Sequence, residues 1–376
     1  MNIRKVKKAA KRIDTTYLAD LKIKSYGANN LYPQDIANII KASSTGAACC
    51  DRYARFIEGD GFANIDIAQM VMARNGATAN DVLTAVAHDL ATFGGFALHV
   101  NYNAFCQISE VQHIAFEQLR LKEPDDSGYI GMVAQHPDWS GRQTRMGRRL
   151  VVNKDTVKWY NLFNPRPDVV RSQIVAAGGI DGYSGQVLYV GERGRIAYPT
   201  PKADRVVTDL STDEGLANIK YRNTRCNFLT SQMLITKVDQ VDPDGQSAEG
   251  FASAIEQFQG DERANAILQM TVTSDEEKPE IVPFNVRNYD KDFTVTDQSV
   301  VERIYCAYEQ EPFLAVRNGK LGFSGDVVTD AFNYYSFLVR SEQRQICRAF
   351  AAVLELWHEP LANADVVINP LKFLTE

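Results

Sequence analysis

The stretch DVVTDAFNYYSFLVRSEQRQICRAFAAVLELW, residues 326–357, sets how the rest of the chain is read. Its 32 residues contain no proline or glycine. One helix is therefore expected, about 48 Å long at ~1.5 Å per residue. Val328, Phe332, Tyr335, Val339, Ile346, Phe350, Val353 and Trp357 fall in a narrow arc at helical spacing. Tyr334, Phe337 and Leu338 form a second apolar patch on the other side, in the first half only. A helix apolar on two sides has to be covered on two sides. The core of a monomer would cover it, and so would a neighbouring copy. Arg340, Arg344 and Arg348 recur four apart, roughly opposite the main stripe. A solvated face accounts for them, as does pairing with a neighbour's carboxylates or with DNA phosphates.

Working back from this helix, the segment AVRNGKLGFSG (315–325) carries Arg317, Asn318 and Lys320 among three glycines. It reads either as a plain connection or as a working loop. Before it, Thr296 is placed to cap a helix with the stripe Val300, Val301, Ile304, Tyr305 and Tyr308, stopped by Pro312. Further back, Ser211 and Glu214 make an S-x-x-E capping box for a helix running to about 233. A small mixed segment separates the two helices. It has a turn at VDPDGQ (241–246), then a helix from Ser247 with Phe251, Ile255 and Phe258 on one face, ended by Gly260. A strand, AILQMTVT (266–273), follows.

The first half is mixed. Pro33 opens a predicted helix over 33–57, with Ile36, Ile39, Ile40, Ala47 and Cys50 on one face, and Gly59 and Gly61 end it. Asn80 is expected to cap a second helix with the stripe Leu83, Val86, Ala87 and Leu90. FGGF (93–96) reads as a tight helix-to-strand turn. Phe96, Leu98, Val100 and Tyr102 then alternate with Ala97, His99 and Asn101, and a hairpin partner follows from Ile108. TVKWYNLF (156–163) is a strand, and GERG is expected to join VLYV (187–190) to RIAY (195–198) as another hairpin. No internal repeat is visible. The class is α+β.

The chain has 376 residues, enough for two or three domains, with 45% hydrophobic and 23% charged residues. This composition excludes disordered and collagen-like classes. No apolar run is long enough to span a bilayer, so no membrane partner is expected. The start, MNIRKVKKAAKR, lacks the apolar stretch of a secretory signal, and six cysteines are too few for a disulfide framework. The net charge is −6, yet residues 1–24 carry eight basic and two acidic side chains, leaving −12 for the remainder. An acidic body argues against tight DNA binding by bulk charge, but not against DNA sliding past. The basic arm reads as a solvated terminus or as a contact for an acidic partner.

No phosphate-binding loop, nucleophile elbow or H-E-x-x-H occurs. His88, His99, His113, His136 and His358 stand apart from one another and from the cysteines, so no metal site is expected. Cys50, adjacent to Cys49 on a predicted helix, reads as a small core residue. No catalytic residue, metal or cofactor is assigned.

The order of elements, together with four segments, resembles the portal proteins of tailed double-stranded DNA bacteriophages. The segments are YGANNLYPQDIANII (26–40), FGGFALHVNYN (93–103) running to EVQHIAFEQLRL (110–121), FQGDERANAILQM (258–270) and VVERIYCAYEQEPFLAV (300–316). The resemblance implies a β-rich wing over 1–205 and a first stem helix over 206–233. It implies a small α/β clip over 234–293, a second stem helix over 294–310 and a tunnel loop over 311–325. The long tunnel helix and tail, 326–376, return to the wing. Only 16 residues follow Pro360, so a helical crown is expected to be absent or minimal. The family's small residue–Pro–Pro signature stands here only as Glu311–Pro312. Members form twelve-fold rings at one capsid vertex and pass double-stranded DNA through the channel in packaging and ejection. The implied partners are further copies of the chain, the terminase large subunit, a major capsid or scaffolding protein and a head–tail adaptor. The implied locations are the virion and, during assembly, the host cytoplasm. Arg317, Asn318 and Lys320 become candidate channel residues. Val328, Phe332, Tyr334, Phe337, Leu338, Arg340, Arg344 and Arg348 become candidate subunit-interface residues. Two other readings fit the composition: a cytosolic α/β hydrolase or transferase with an unrecognised site, or another virion subunit.

Overall fold

The computed structural model describes residues 17–18, 20–142, 144–145, 148–191, 198–225, 232–235, 280–283, 289–319, 325–359, 361 and 365–373. The chain divides into two units, Met1–Thr208 with Glu302–Glu376, and Asp209–Val301.

The first unit is a helical layer on a mixed sheet. Its short first hairpin pairs β1 (Tyr17–Leu18) with β2 (Ile23–Lys24). The helices are α1 (Tyr32–Ala42), α2 (Ser44–Glu58), α3 (Ile65–Gln69) and α4 (Ala79–Phe93). The strands are β3 (Gly95–Tyr102), β4 (Ile108–His113), β5 (Leu119–Leu121) and β6 (Met132–Gln135). A small ribbon of β7 (Thr144–Arg145) and β8 (Arg148–Arg149) precedes β9 (Lys158–Leu162), α5 (Pro167–Ala176) and β10 (Gln186–Gly191). The six-stranded sheet has the order β4-β3-β10-β9-β6-β5, antiparallel except where β10 runs parallel to β9.

Gly94 ends α4 in the left-handed region at φ +74, and β3 starts at the next residue, as FGGF suggested. β3 sits between β4 and β10, with α4 against it, so Ala97 is as buried as Phe96, Leu98 and Val100. The expected hairpin partner of β10 lies outside the described residues except for Tyr198, which is not in a strand. The sheet places β10 beside β3 and β9 instead.

Several helix boundaries differ from expectation, each for a local reason. The helix over 33–57 is two helices, because Ser43 turns extended and its Oγ accepts the Gly46 N–H at 2.9 Å, capping α2. Thr78, not Asn80, caps α4 through a reciprocal box with Asp81, while Asn80 Oδ1 accepts the Phe62 N–H.

One charged side chain organises the edge of the sheet. Arg120 of β5 is fully buried with no carboxylate among its hydrogen-bond acceptors. Its Nε donates to Asn30 Oδ1 at 2.7 Å and its Nη2 to Asn30 O at 2.6 Å. Its Nη1 donates to the Glu117 and Leu119 carbonyls at 2.8 and 2.7 Å. The guanidinium lies 5.6 Å from the centre of the Tyr26 ring and 5.1 Å from that of Trp139. Tyr26 stacks on Tyr198 at 4.0 Å, and Tyr198 Oη donates to Lys24 O and accepts from Leu121 N. YGANNLY (26–32) is thus the strap that closes over Arg120. Gly27 in it takes φ +83, where a Cβ would stand 2.8 Å from that of Tyr32. Burial pushes the guanidinium pKa down to about 10, so it stays charged at neutral pH.

The second unit contains the two-stranded ladder of β11 (Gln232–Ile235) and β12 (Glu280–Pro283). Most of α6 (Val207–Arg225) and of α7 (Tyr289–Ala307) belongs to it, and Lys220 Nζ meets Asp297 Oδ2 at 2.7 Å. A 3-10 turn over Lys202–Val206 leads into α6, so Ser211 lies inside that helix rather than at its cap, and the helix does not run to 233, since Gln232 and Met233 pair in β11. Thr296 likewise lies inside α7. The turn at 241–246, the helix from Ser247 and the strand at 266–273 fall outside the described residues.

Replacing Arg120 by Met would strand several buried acceptors, each costing about 1–3 kcal/mol. Arg120→Met is expected to lose on the order of 3 kcal/mol or more in urea unfolding. Arg120→Lys should recover little, since one ammonium cannot span the same acceptors. A loss below about 1 kcal/mol in the Met variant would show that the strap holds without this residue.

Candidate functional site

Pro312 was expected to stop a helix, but it starts one. α7 ends at Ala307, and α8 (Glu311–Arg317) begins after three intervening residues with Pro312 in its first turn. Two further helices follow, α9 (Gly325–Leu338) and α10 (Arg340–Leu354). Segment 311–325, read as a loop, is therefore helical over its first half.

Tyr308, Glu309 and Gln310 make the turn between α7 and α8. Glu309 takes φ +58, uncommon for a residue with a Cβ. Its carboxylate pairs with Lys202 at 3.1 Å. Gln310 is fully buried. Its Oε1 accepts from Arg52 Nη1 at 2.7 Å, and its Nε2 donates to Cys49 O at 2.8 Å and Tyr335 Oη at 2.9 Å. Tyr335 Oη donates onward to Tyr308 O at 2.9 Å. Desolvation here costs little because the amide is matched on both sides. The Arg52 guanidinium also lies 5.0 Å from the centre of the Phe313 ring. Phe56, Phe313, Phe332 and Tyr335 pack edge-on or tilted at 4.9–5.7 Å.

This frame fixes where α8 starts. At its far end Arg317 and Asn318 are exposed, with Arg317 Nη1 only 3.4 Å from Tyr305 Oη. Gly319 takes φ +70 as the chain leaves the helix. Lys320 and Gly322 lie outside the described residues.

The long helix of 326–357 is two helices meeting at Val339, whose ψ of 3° leaves the helical region. Backbone bonding nevertheless continues through the break, from Val339 N to Tyr335 O and from Gln343 N to Val339 O. The main stripe is buried at Tyr335, Val339, Ile346, Phe350 and Val353, while Val328 and Phe332 are half-buried. Trp357 lies past the end of α10, buried, in a parallel bridge to Ile108. Gln343 Nε2 reaches the Phe56 carbonyl, and Tyr53 Oη donates to Glu342 Oε1 at 2.6 Å, so α10 is pinned to α2.

The second apolar patch is not covered by the chain's own core. Tyr334 is 51% and Phe337 63% exposed, and Leu338 is half-buried. Arg340 stands 5.1 Å from the Phe337 ring centre, and Arg340, Arg344 and Arg348 are all exposed. The structure thus gathers the interface candidates on one helical pair and leaves only part of them open. Sequence reading missed Gln310 and Arg52, whose pairing spans 258 residues and carries no local signal.

Among the described residues, no group of three or more His, Cys, Asp or Glu is placed to hold a metal ion, and no helix is long and apolar enough to cross a membrane. Cys50 is a core thiol, and burial pushes its pKa up to about 11.

No protein-family model matches this chain, and no curated protein does. Solved structures do match. A chain in the neck of the empty gene transfer agent (GTA) particle, computed with C6 symmetry, covers 90% of this chain and 84% of its own. Its TM-score is 0.51 at 12% identity. The neck of the native GTA particle, computed with C12 symmetry, gives 0.48 at 13% identity over the same shares. An HK97 family phage portal protein from Corynebacterium diphtheriae gives 0.37 at 11% identity, covering 72% of this chain and 75% of that one. The first of these likenesses shows a shared fold.

Tyr335→Phe removes one hydroxyl that both accepts from Gln310 and donates to Tyr308. It is expected to destabilise the first unit by about 1–2 kcal/mol, read from the shift in urea midpoint at unchanged slope. An unshifted midpoint would mean that the phenol bonds are replaced by water at no cost.

Proposed function

We propose that this chain is a portal protein of a tailed double-stranded DNA phage or phage-like particle. It works as one subunit of a ring at a capsid vertex through which DNA enters and leaves. The observation that carries this is the fold shared over 90% of the chain with a GTA neck chain. The order of the four sequence segments supports it independently. On this reading residues 1–205 form the wing, 206–233 and 294–310 the stem, and 234–293 the clip. The clip docks the terminase large subunit during packaging and a head–tail adaptor afterwards. The wing meets the major capsid or scaffolding protein. The role is structural rather than catalytic, and the chain passes from the host cytoplasm into the virion as particles assemble.

The excess of negative charge outside residues 1–24 suits a wall that must not grip phosphate. Arg317, Asn318 and Lys320 stand in the segment that the resemblance puts at the channel constriction. Repeated around a ring, their weak and salt-screened contacts would tune the retention of DNA without holding it fast.

Ring formation is the primary test. Mass photometry of the purified chain is expected to give a ring of about a dozen subunits. Phe337 is exposed in the single chain, so Phe337→Glu should fold normally. In a subunit contact the same carboxylate would be taken out of water in place of an apolar ring, at several kcal/mol per contact. The variant is expected to remain small and soluble with an unchanged melting temperature. Wild-type chain that stays monomeric or dimeric would overturn the portal reading. Normal rings from the variant would remove Phe337 from the interface.

The channel segment has its own test. Arg317→Ala combined with Lys320→Ala should keep the ring and its melting temperature but shorten the genome packaged or retained in particles. A full-length packaged genome would strike both residues from the functional list.

A further inference from the structure

α8 has only seven residues, and no side chain caps its N-terminus. A helix this short does not hold itself in water, so its place is set by what it is fastened to. Gln310 supplies that fastening twice. Its backbone carbonyl accepts from the Phe313 and Leu314 amides at 3.1 and 3.2 Å and so carries the first turn of α8. Its side-chain amide reaches the other way, to Arg52 and Cys49 on α2 and to Tyr335 on α9. One residue therefore joins α8 both to α2, 258 and 261 residues away, and to the next helix, α9. Arg52 closes the same joint from the other side, since its guanidinium bonds Gln310 and also covers Phe313, two residues into α8.

We propose that Gln310, with Arg52 as its partner, is a positioning residue that fixes α8, and through it Arg317 and Asn318, to the α2 layer. The bearing of this joint on DNA rests on the portal reading. The joint itself does not, and the two are separable by experiment. A general core residue would weaken the whole first unit when replaced. A positioning residue would loosen 311–319 well beyond the rest of the unit.

The experiment is hydrogen–deuterium exchange on the full chain, comparing wild type with Gln310→Met, which keeps the volume and removes the amide. Amides of 311–319 are expected to exchange about tenfold faster or more, while those of α4 and β3 lose clearly less protection. Arg52→Met, at a half-buried position, should reproduce most of the effect and serves if the first variant folds poorly. Unchanged exchange in 311–319, or an equal loss of protection across α4 and β3, would overturn the proposal. Packaged genome length in particles carrying Gln310→Met is then read beside the exchange. Faster exchange with a shortened genome supports the joint and its role in the channel. Faster exchange with a full-length genome keeps the joint and removes segment 311–319 from DNA handling.

Discussion

A polar side chain taken out of water has to be matched, and where the C-terminal helices meet the first layer the matches on α2 come from the opposite end of the sequence. α2 is the hub. Its Cys49 carbonyl and Arg52 guanidinium serve Gln310, 261 and 258 residues away. Its Tyr53 serves Glu342, 289 residues away, and its Phe56 carbonyl serves Gln343, 287 residues away. Apolar burial alone would press the C-terminal helices onto this layer without fixing how far they slide, because it is non-directional. The hydrogen bonds set the register. A shift of α8 or α10 by one residue along α2 would leave several buried donors and acceptors unmet at once. The first unit is therefore a single frame although its two chain segments are separated by residues 209–301.

This also explains which parts of the structure were legible beforehand. Short-range signals read well. Gly94 ended α4 where the double glycine said it should, β3 and β4 paired as the alternation required, and Cys50 lay in the core. Breaks inside helices read poorly, because the apolar stripe runs through them. Ser43 and Val339 interrupt helices without a glycine or proline, and stripe residues on both sides of each break, Ile40 and Cys50 or Tyr335 and Ile346, stay buried. Pro312 was read as a stop because it follows a stripe, yet proline in a first turn is as compatible with a start, and only the tertiary anchor at Gln310 decides between them.

Long-range pairings carried no signal at all. Nothing in the triplet Leu119–Arg120–Leu121 announces that its arginine is enclosed by carbonyls and the rings of Tyr26 and Trp139, and the parallel pairing of β9 with β10 joins segments separated by α5. The family resemblance rests on the order of weak segments rather than on a motif, and at 12% identity the match to a solved structure speaks for the fold alone. For the candidate site, the sequence points at the second apolar patch and at Arg317 but not at Gln310 and Arg52, which fasten the start of α8.

The helical pair α9–α10 buries one face and leaves the other exposed. Tyr335, Val339, Ile346, Phe350 and Val353 are spent on the chain's own core. The other face runs through Asp330, Tyr334, Phe337, Ser341, Arg344 and Arg348, all exposed, and changes along its length from acidic through aromatic to basic. Such a face is not neutral to orientation. Under the portal reading the contact around a ring is head-to-tail, so the surface that meets this face is a different one on the next copy. Two arginines near one end call for carboxylates there, and a chain carrying −12 outside its first 24 residues has them in excess. The exposed aromatics would then supply the apolar centre of the contact and the arginines its direction, which is how a closed ring is favoured over a symmetric pair.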